Sequence, residues 1–170
     1  MANNVKFQDF SFDVKAAIDE ETIAWLIAWS NEIASQAKRN TSVVGWGNDL
    51  RDLRDGYAAV VDEGAGKATV GHPKEMAFWE EWGTGTYAAH GDGRKGWWIF
   101  IEGQASQGGG KTYATEEEAE KAARFLRSQD LDAYVTNGRR PNYTLEKAFK
   151  SVKPKAISDL EDILKRRLGK

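Results

Sequence analysis

Hydrophobic residues recur every three or four positions in two long segments, one towards each end of the chain. The first runs from about Ile18 to Arg39, and the second follows Pro141 near the C terminus. This spacing places apolar side chains on one face, so both segments are predicted to be long helices. Their apolar positions are Ile23, Leu26, Ile27, Ile33, Ala34 and Ala37, and then Leu145, Ala148, Phe149, Val152, Ala156, Leu160, Ile163, Leu164 and Leu168. Pro154 removes one backbone donor but keeps the stripe, which predicts a kinked helix or two helices in line.

Short β-prone runs separated by turns occupy the middle of the chain. Gly56–Asp62 and Lys67–His72 flank the glycine-rich turn Gly64–Gly66, which predicts a β-hairpin. The runs WWIFIE and DAYVT each favour a strand because their residues are bulky or β-branched. The fold predicted from these elements is α+β, with one small, mostly antiparallel sheet in a single domain spanning residues 1–170.

A further helix of about 14 residues is predicted between these two strands, in TEEEAEKAARFLRSQ. Thr115 and Glu118 stand in the register of a capping box, and acidic residues fill the first turn. Two other runs are ambiguous. KEMAFWEEW fits a short helix or a bent strand, and VKFQDFSF near the N terminus fits a short strand or an arm that docks by its phenylalanines.

Composition narrows the class of protein. The chain has 170 residues and a net charge of -2, so it lacks the basic footprint of a sequence-reading nucleic-acid-binding protein, and any DNA contact is expected to be local. It has no cysteine, which excludes disulfides, thiolate catalysis and Cys-based metal sites and fits maturation in a reducing cytoplasm. The most apolar run, Ile23–Trp29, is shorter than the roughly 20 residues of a membrane span. A soluble protein without a signal peptide is expected.

The stretch ASQGGGKTY matches the loose form of a phosphate-binding loop through Ala105, Gly110, Lys111 and Thr112. Such a loop must run directly into a helix so that the lysine and the first N–H groups converge on phosphate. Here the lysine precedes the predicted cap, Thr115, and adjacent glycines are also typical of a linker. A nucleotide-binding protein is therefore the alternative interpretation, and an exposed connector is the favoured one.

Other candidate chemistry is sparse. His72 and His90 are the only histidines, and a metal site would need both of them with carboxylates from separate loops. Glu80 and Glu81 are adjacent, so they point to different sides of a helix or strand and do not form a catalytic pair. We predict no catalytic residue, metal or cofactor. The basic clusters Arg94–Lys95, Arg139–Arg140 and Lys165–Arg167 are interpreted as solvated charge, with phosphate or acidic partner surfaces as the alternative.

Seven tryptophans are many for this length, and tryptophan is enriched in protein interfaces. Trp25 and Trp29 form an i,i+4 pair beside the main apolar stripe of the first helix. Packing in the core and contact with another subunit are equally good interpretations of this pair. The candidates for interface residues are Trp25, Trp29, Trp79, Trp82, Trp97 and Trp98.

Three segments together resemble the tail-completion and head–tail joining proteins of tailed bacteriophages, the family typified by the tenth gene product of a lambdoid siphophage. They are LRDLRDGY, AFWEEWGTGTY and NGRRPNYTLEKAFKSVKPKAISDLEDILKRRL. The first is a partial match, through Leu50, Arg51 and Leu53, to the family's TGxLRxS-like segment. The residues that match its YAxxVExGTG motif are Ala77, Glu81, Gly83, Thr84 and Gly85, with Trp82 in the aromatic slot. Those that match its GxxPxPFLxPAxE motif are Gly138, Pro141, Tyr143, Leu145 and Ala148, with Thr144 where the family often has an aromatic residue.

The resemblance covers most of the chain except about residues 103–135, which look like an inserted αβ unit. It implies a structural virion protein without catalysis, made in the host cytoplasm. Such a protein forms a ring, expected to be six-fold, around the DNA channel and contacts the head connector or stopper, the tail-tube protein and, non-specifically, the DNA. A small regulatory binding module is the third interpretation. Independently of the family, the glycines of GTG permit a sharp turn, Glu81 is expected to accept backbone or arginine hydrogen bonds, and Pro141 with Asn142 or Thr144 is expected to start the last helix.

Overall fold

A computed structural model of the chain describes residues 20–41, 50–101 and 110–168. The predictions for VKFQDFSF and for the glycine-rich part of ASQGGGKTY fall outside these residues. The chain forms two compact units, Met1–Glu81 with Tyr143–Lys170, and Trp82–Asn142. The insertion predicted at residues 103–135 falls within the second unit.

The first unit contains the two long helices and the hairpin. Its helices are α1 (Glu20–Asn40), α2 (Leu50–Asp55), α3 (Glu75–Trp82, whose last residue begins the second unit) and α5 (Thr144–Leu168). Strands β1 (Ala58–Asp62) and β2 (Lys67–Gly71) pair antiparallel, with Val60 opposite Thr69. The predicted hairpin is confirmed, and the ambiguous run KEMAFWEEW is a helix.

Helix α1 packs against α5 and the hairpin, and these contacts form the core of the first unit. Burial of each large aliphatic side chain there contributes about 1.5–3 kcal/mol. The buried core residues include Leu26, Ile33, Leu53, Tyr57, Val70, Leu145, Ala148, Val152 and Ala156. The predicted stripe of α1 is wrong at Ile27, which is 38% exposed, because the buried face runs through Trp25 and Ser30 instead.

Helix α5 continues through Pro154, so the alternative of two separate helices is wrong. The ring is exposed, and the buried residues Val152 and Ala156 flank it on the inner face. Proline on the outer side of a helix leaves the packed face intact although it removes one backbone hydrogen bond.

The second unit is a small two-layer structure. Strands β3 (Trp98–Ile101) and β4 (Ala133–Thr136) pair antiparallel, with Phe100 opposite Tyr134, and α4 (Glu116–Arg127) packs against them. Thr115 caps α4 by accepting a hydrogen bond from Glu118 N, as the capping box predicts. The α+β fold is confirmed, but its strands form two separate two-stranded sheets rather than one.

Candidate functional site

Glu81 connects the two sequence motifs of the first unit. Its carboxylate accepts hydrogen bonds from Leu145 N at 2.7 Å and Glu146 N at 3.0 Å, and its carbonyl oxygen accepts one from Tyr143 N at 3.2 Å. The first N–H groups of a helix have no partner within the helix, and a carboxylate there also opposes the positive end of the helix dipole. Glu81 therefore caps α5, and the expected hydrogen bonds to Glu81 come from the backbone.

Burial sets the electrostatics of Glu81, whose side chain lies in the protein interior. It raises the pKa of this carboxyl above its ordinary value, and the two amide donors of α5 act in the opposite direction. The nearby carboxylates of Glu146 and Glu80 add to the rise. The result is a buried acid held in place by a helix terminus.

Further polar side chains are buried near Glu81. They are Thr41, Tyr57, His72, Glu80 and Thr144. Burial, reinforced by Glu81 and Glu80, raises the pKa of Tyr57 well above its ordinary value. His72 accepts a hydrogen bond from Lys74 N through Nδ1 at 2.9 Å, and its ring and that of Tyr57 make an edge-to-face contact with centroids 4.9 Å apart. Because these groups are enclosed, they stabilise the fold rather than face a substrate.

The glycines of GTG allow a close backbone contact within the second unit. Thr84 N donates to Arg139 O at 2.8 Å, and Thr86 N donates to Asn137 O at 2.9 Å. Gly83 and Gly85 have φ values of +71° and +60°, and a Cβ on Gly85 would lie 2.3 Å from Asn137 O. Only glycine fits this conformation and this approach.

The remaining motif residues make packing contacts within the fold. Ala77 belongs to the core cluster that contains Leu145 and Ala148. A Cβ on Gly138 would lie 2.1 Å from Thr84 O, and Pro141 lies against Gly83. The ring centroids of Trp82 and His90 lie 4.5 Å apart.

The tryptophans predicted as interface residues differ in their exposure. Trp25 is buried, and its Nε1 donates to Ala156 O at 2.9 Å, so the core interpretation accounts for it and little of its ring is left for a neighbour. Trp29 and Trp79 are half-buried, and Lys155 Nζ lies 5.6 Å from the ring centroid of Trp29. Trp97 is half-buried and forms an isolated bridge with Tyr113.

A shallow groove lies between α1 and α5 in the first unit. It has a volume of about 820 Å³ and is open to solvent. Its lining includes Trp25, Trp29 and Ile163 together with Glu21 and Arg166. These last two residues form an ion pair at 2.9 Å.

One face of the β3–β4 sheet exposes aromatic rings, and we call it the outer sheet face (Trp98, Phe100, Tyr134 and Thr136). Alternate residues of a strand point to opposite faces, and Ala133 of the other face is buried with Ala119 and Ala123 of α4. Phe100 and Tyr134 are 41% and 52% exposed although they lie directly opposite each other. Neither Phe100 nor Tyr134 is among the interface residues predicted from the sequence. The sequence feature that indicates this face is the alternation within β3, which places Trp98 and Phe100 on the same side of the strand.

Arg94 lies beside this face and also fixes the chain next to Lys111. Its guanidinium carbon lies 5.0 Å from the ring centroid of Trp98. Its Nε donates to Thr112 Oγ1 at 2.9 Å, and its Nη2 donates to Gly110 O. Lys111 Nζ lies 5.0 Å from the ring centroid of Tyr113 and precedes the three glutamates of the first turn of α4. Carboxylates at that helix start repel phosphate, so the arrangement does not favour a nucleotide.

Within the part of the chain that the structure describes, no group of three or more histidine, aspartate or glutamate side chains is placed to hold a metal ion. None of the helices in residues 20–41, 50–101 and 110–168 is both long enough and apolar enough to cross a membrane. Comparison of the chain with models of protein families, with curated proteins and with solved structures finds no match.

Proposed function

We propose that this chain is a structural virion protein of a tailed bacteriophage that joins the head to the tail. Copies of the chain form a ring, expected to be six-fold, around the DNA channel of the neck. The partners are the head connector or stopper on one side and the tail-tube protein on the other. The chain has no catalytic role and contacts the genome without sequence preference.

The observation that carries this proposal is the way in which the motif residues of the resemblance are used. Glu81 caps α5 through Leu145 and Glu146, and the turn that follows Glu81 pairs with the backbone that precedes Pro141. Motifs far apart in sequence thus hold one another in place through backbone contacts. Residues used in this way maintain a scaffold, which is what the resemblance implies for an assembly protein.

The exposed apolar side chains support the same function. Both compact units have them, and Phe100 with Tyr134 form an adjacent pair. Adjacent exposed rings are typical of surfaces that bind another protein, whereas single exposed apolar residues are ordinary. The large exposed apolar residues are Ile27, Val60, Phe78, Phe100, Phe125, Tyr134 and Ile157.

The test is electron microscopy of phage particles made without this chain. We expect filled heads without tails alongside separate complete tails, and restoration of joined particles when the wild-type gene is supplied in trans. Normal joined particles in the absence of the chain would overturn the proposal.

The nucleotide-binding alternative has its own test. We expect ATP with magnesium to leave the melting temperature of the wild-type protein unchanged, with Lys111→Ala as the matched control. A rise that the substitution abolishes would favour nucleotide binding instead.

A further inference from the structure

The second compact unit exposes large aromatic side chains on both of its layers. On the sheet layer, Phe100 and Tyr134 are 41% and 52% exposed. On the helix layer, Phe125 of α4 is 67% exposed. Aromatic side chains such as these are enriched in protein interfaces, since each offers a large contact area at low entropic cost.

Phe125 points away from the sheet. Ala119 and Ala123, the fully buried residues of α4, face the sheet. Successive residues of a helix are rotated by about 100° about its axis. Phe125 therefore lies about 120° from Ala119 and about 160° from Ala123. Glu117 and Lys121 precede Phe125 at four-residue intervals and share its side of the helix. We call these three residues the outer helix face.

The first turn of α4 and the chain before β3 carry opposite charges. The first turn of α4 carries Glu116, Glu117 and Glu118, and all three are exposed. Arg94 stacks on Trp98 beside the outer sheet face, and among the described residues it has no acidic partner. The acidic start of α4 and the guanidinium of Arg94 carry opposite charges, so the surfaces around them are complementary.

On the basis of the proposed function, we infer that the outer sheet face of one subunit binds the outer helix face of the next copy of the chain. Phe125 of one copy packs on Phe100 and Tyr134 of its neighbour, while the first turn of α4 lies near Arg94 of that neighbour. Because the two surfaces differ, the contact is heterologous and can be repeated from copy to copy. Heterologous contacts close into a ring when the rotation between copies allows it.

Two variants block one surface each. Phe125→Lys places a cation on the outer helix face, near the C-terminal turn of α4 where the helix tolerates it. Phe100→Thr combined with Tyr134→Thr removes both rings from the outer sheet face and keeps residues that favour strands. Phe125→Leu is the conservative control. Val60→Lys is the matched control, because Val60 is 71% exposed in the hairpin of the other unit.

Sedimentation velocity over a range of protein concentrations measures assembly, and far-UV circular dichroism confirms that each variant is folded. Each blocking variant is expected to raise the concentration needed for assembly about tenfold or more, while both controls assemble like the wild type. A mixture of the two blocked variants is expected to form one-to-one complexes, since each retains the surface that the other lacks. If the double variant does not fold, Tyr134→Thr alone replaces it.

Each other outcome has a defined meaning. If the wild-type protein forms rings and both blocked variants do so equally well, this inference is overturned and the proposed function stands. If Val60→Lys loses assembly as much as the blocking variants do, the assignment of the contact to the second unit is overturned. If the blocked variants fail to assemble and also fail to bind each other, the contact is not heterologous. A wild-type chain that stays monomeric at every concentration, alone and with head-connector and tail-tube proteins, contradicts both proposals.

Discussion

At the scale of single residues, the carboxylate of Glu81 caps a helix that is distant in sequence. Glu81 Oε2 accepts from the amide of Leu145, 64 residues further along the chain. Its other oxygen accepts from Glu146 N. A buried acceptor with two backbone donors cannot be removed without leaving both donors unsatisfied.

We expect Glu81→Ala to lower the free energy of unfolding by about 2 kcal/mol, because two buried or half-buried N–H groups lose their acceptor. Glu81→Gln keeps one acceptor oxygen and should lose about half as much. Urea denaturation measures both values. Glu161→Ala, an exposed change on α5, serves as the control and should stay within about 0.5 kcal/mol of the wild type. Equal stability of Glu81→Ala and the wild type would contradict the capping role.

The raised pKa of Glu81 predicts how stability depends on pH. Between the ordinary glutamate pKa and the raised value, the folded chain binds more protons at this site than the unfolded chain. The contribution of Glu81 to stability therefore falls as the pH rises through this window, and it is recovered on acidification. Urea midpoints of the wild type and Glu81→Gln, taken from about pH 8 to about pH 4, isolate the effect because the other carboxylates are common to both proteins. A wild-type advantage that instead grows with rising pH would contradict the sign.

Gly85 and Gly91 provide a matched pair for the close approach in the GTG turn. Their φ values are +60° and +73°, but a Cβ would meet Asn137 O at 2.3 Å in the first case and no atom within 4 Å in the second. Gly91→Ala is expected to cost only the conformational penalty of about 1 kcal/mol, and Gly85→Ala about 3 kcal/mol because the backbone must also move. Thermal unfolding of both variants measures the difference. Equal losses would show that the close contact contributes nothing.

At the scale of elements, α5 contains one unfavourable residue. Pro154 lies inside this helix of 25 residues and is exposed. Proline in a helix interior costs about 3 kcal/mol through the lost hydrogen bond and the clash with the preceding turn, although it also restricts the unfolded chain.

We therefore expect Pro154→Ala to raise the stability of the protein by about 1–2 kcal/mol. Differential scanning calorimetry would detect this gain as a higher melting temperature. Ser158→Ala, one turn further along α5, controls for the helix propensity of alanine and should raise stability by no more than about 0.5 kcal/mol. A lower melting temperature for Pro154→Ala would mean that the proline shapes the helix in a way that the packing requires.

Elements that depend on local signals could be predicted from the sequence. Periodicity identified α1 and α5, the capping box identified the start of α4, and the glycine-rich turn identified the hairpin. The short run that became α3 stayed ambiguous, because eight residues contain too few repeats to separate the two periods. The assignment of strands to two sheets depends on tertiary contacts that no local pattern encodes.

The candidate site was harder to predict for the same reason. The sequence showed that Glu81 would accept hydrogen bonds at the turn, but not that the donors would be Leu145 and Glu146. Trp25 and Trp29 share one helix, yet only packing against α5 determines that the first is buried and the second half-exposed. The exposure of Phe100 and Tyr134 likewise depends on which face of the sheet α4 covers.

At the scale of the whole molecule, the chain leaves the first compact unit after Glu81 and returns to it at Tyr143. Tyr143 N donates to Glu81 O at 3.2 Å. The residue where the chain leaves the first unit and the residue where it returns are therefore neighbours. All the residues between them, Trp82–Asn142, belong to the second unit. Insertion of a domain into another protein is tolerated when the ends of the inserted segment lie close together.

The second unit therefore has the form of an exchangeable module. A protein in which a short glycine-serine linker replaces Trp82–Asn142 is expected to keep the helical circular dichroism and cooperative unfolding of the first unit. Failure to fold would show that the first unit needs the second. In evolution, the same geometry would let a chain exchange this whole unit for another while the packing of α1 against α5 stays unchanged.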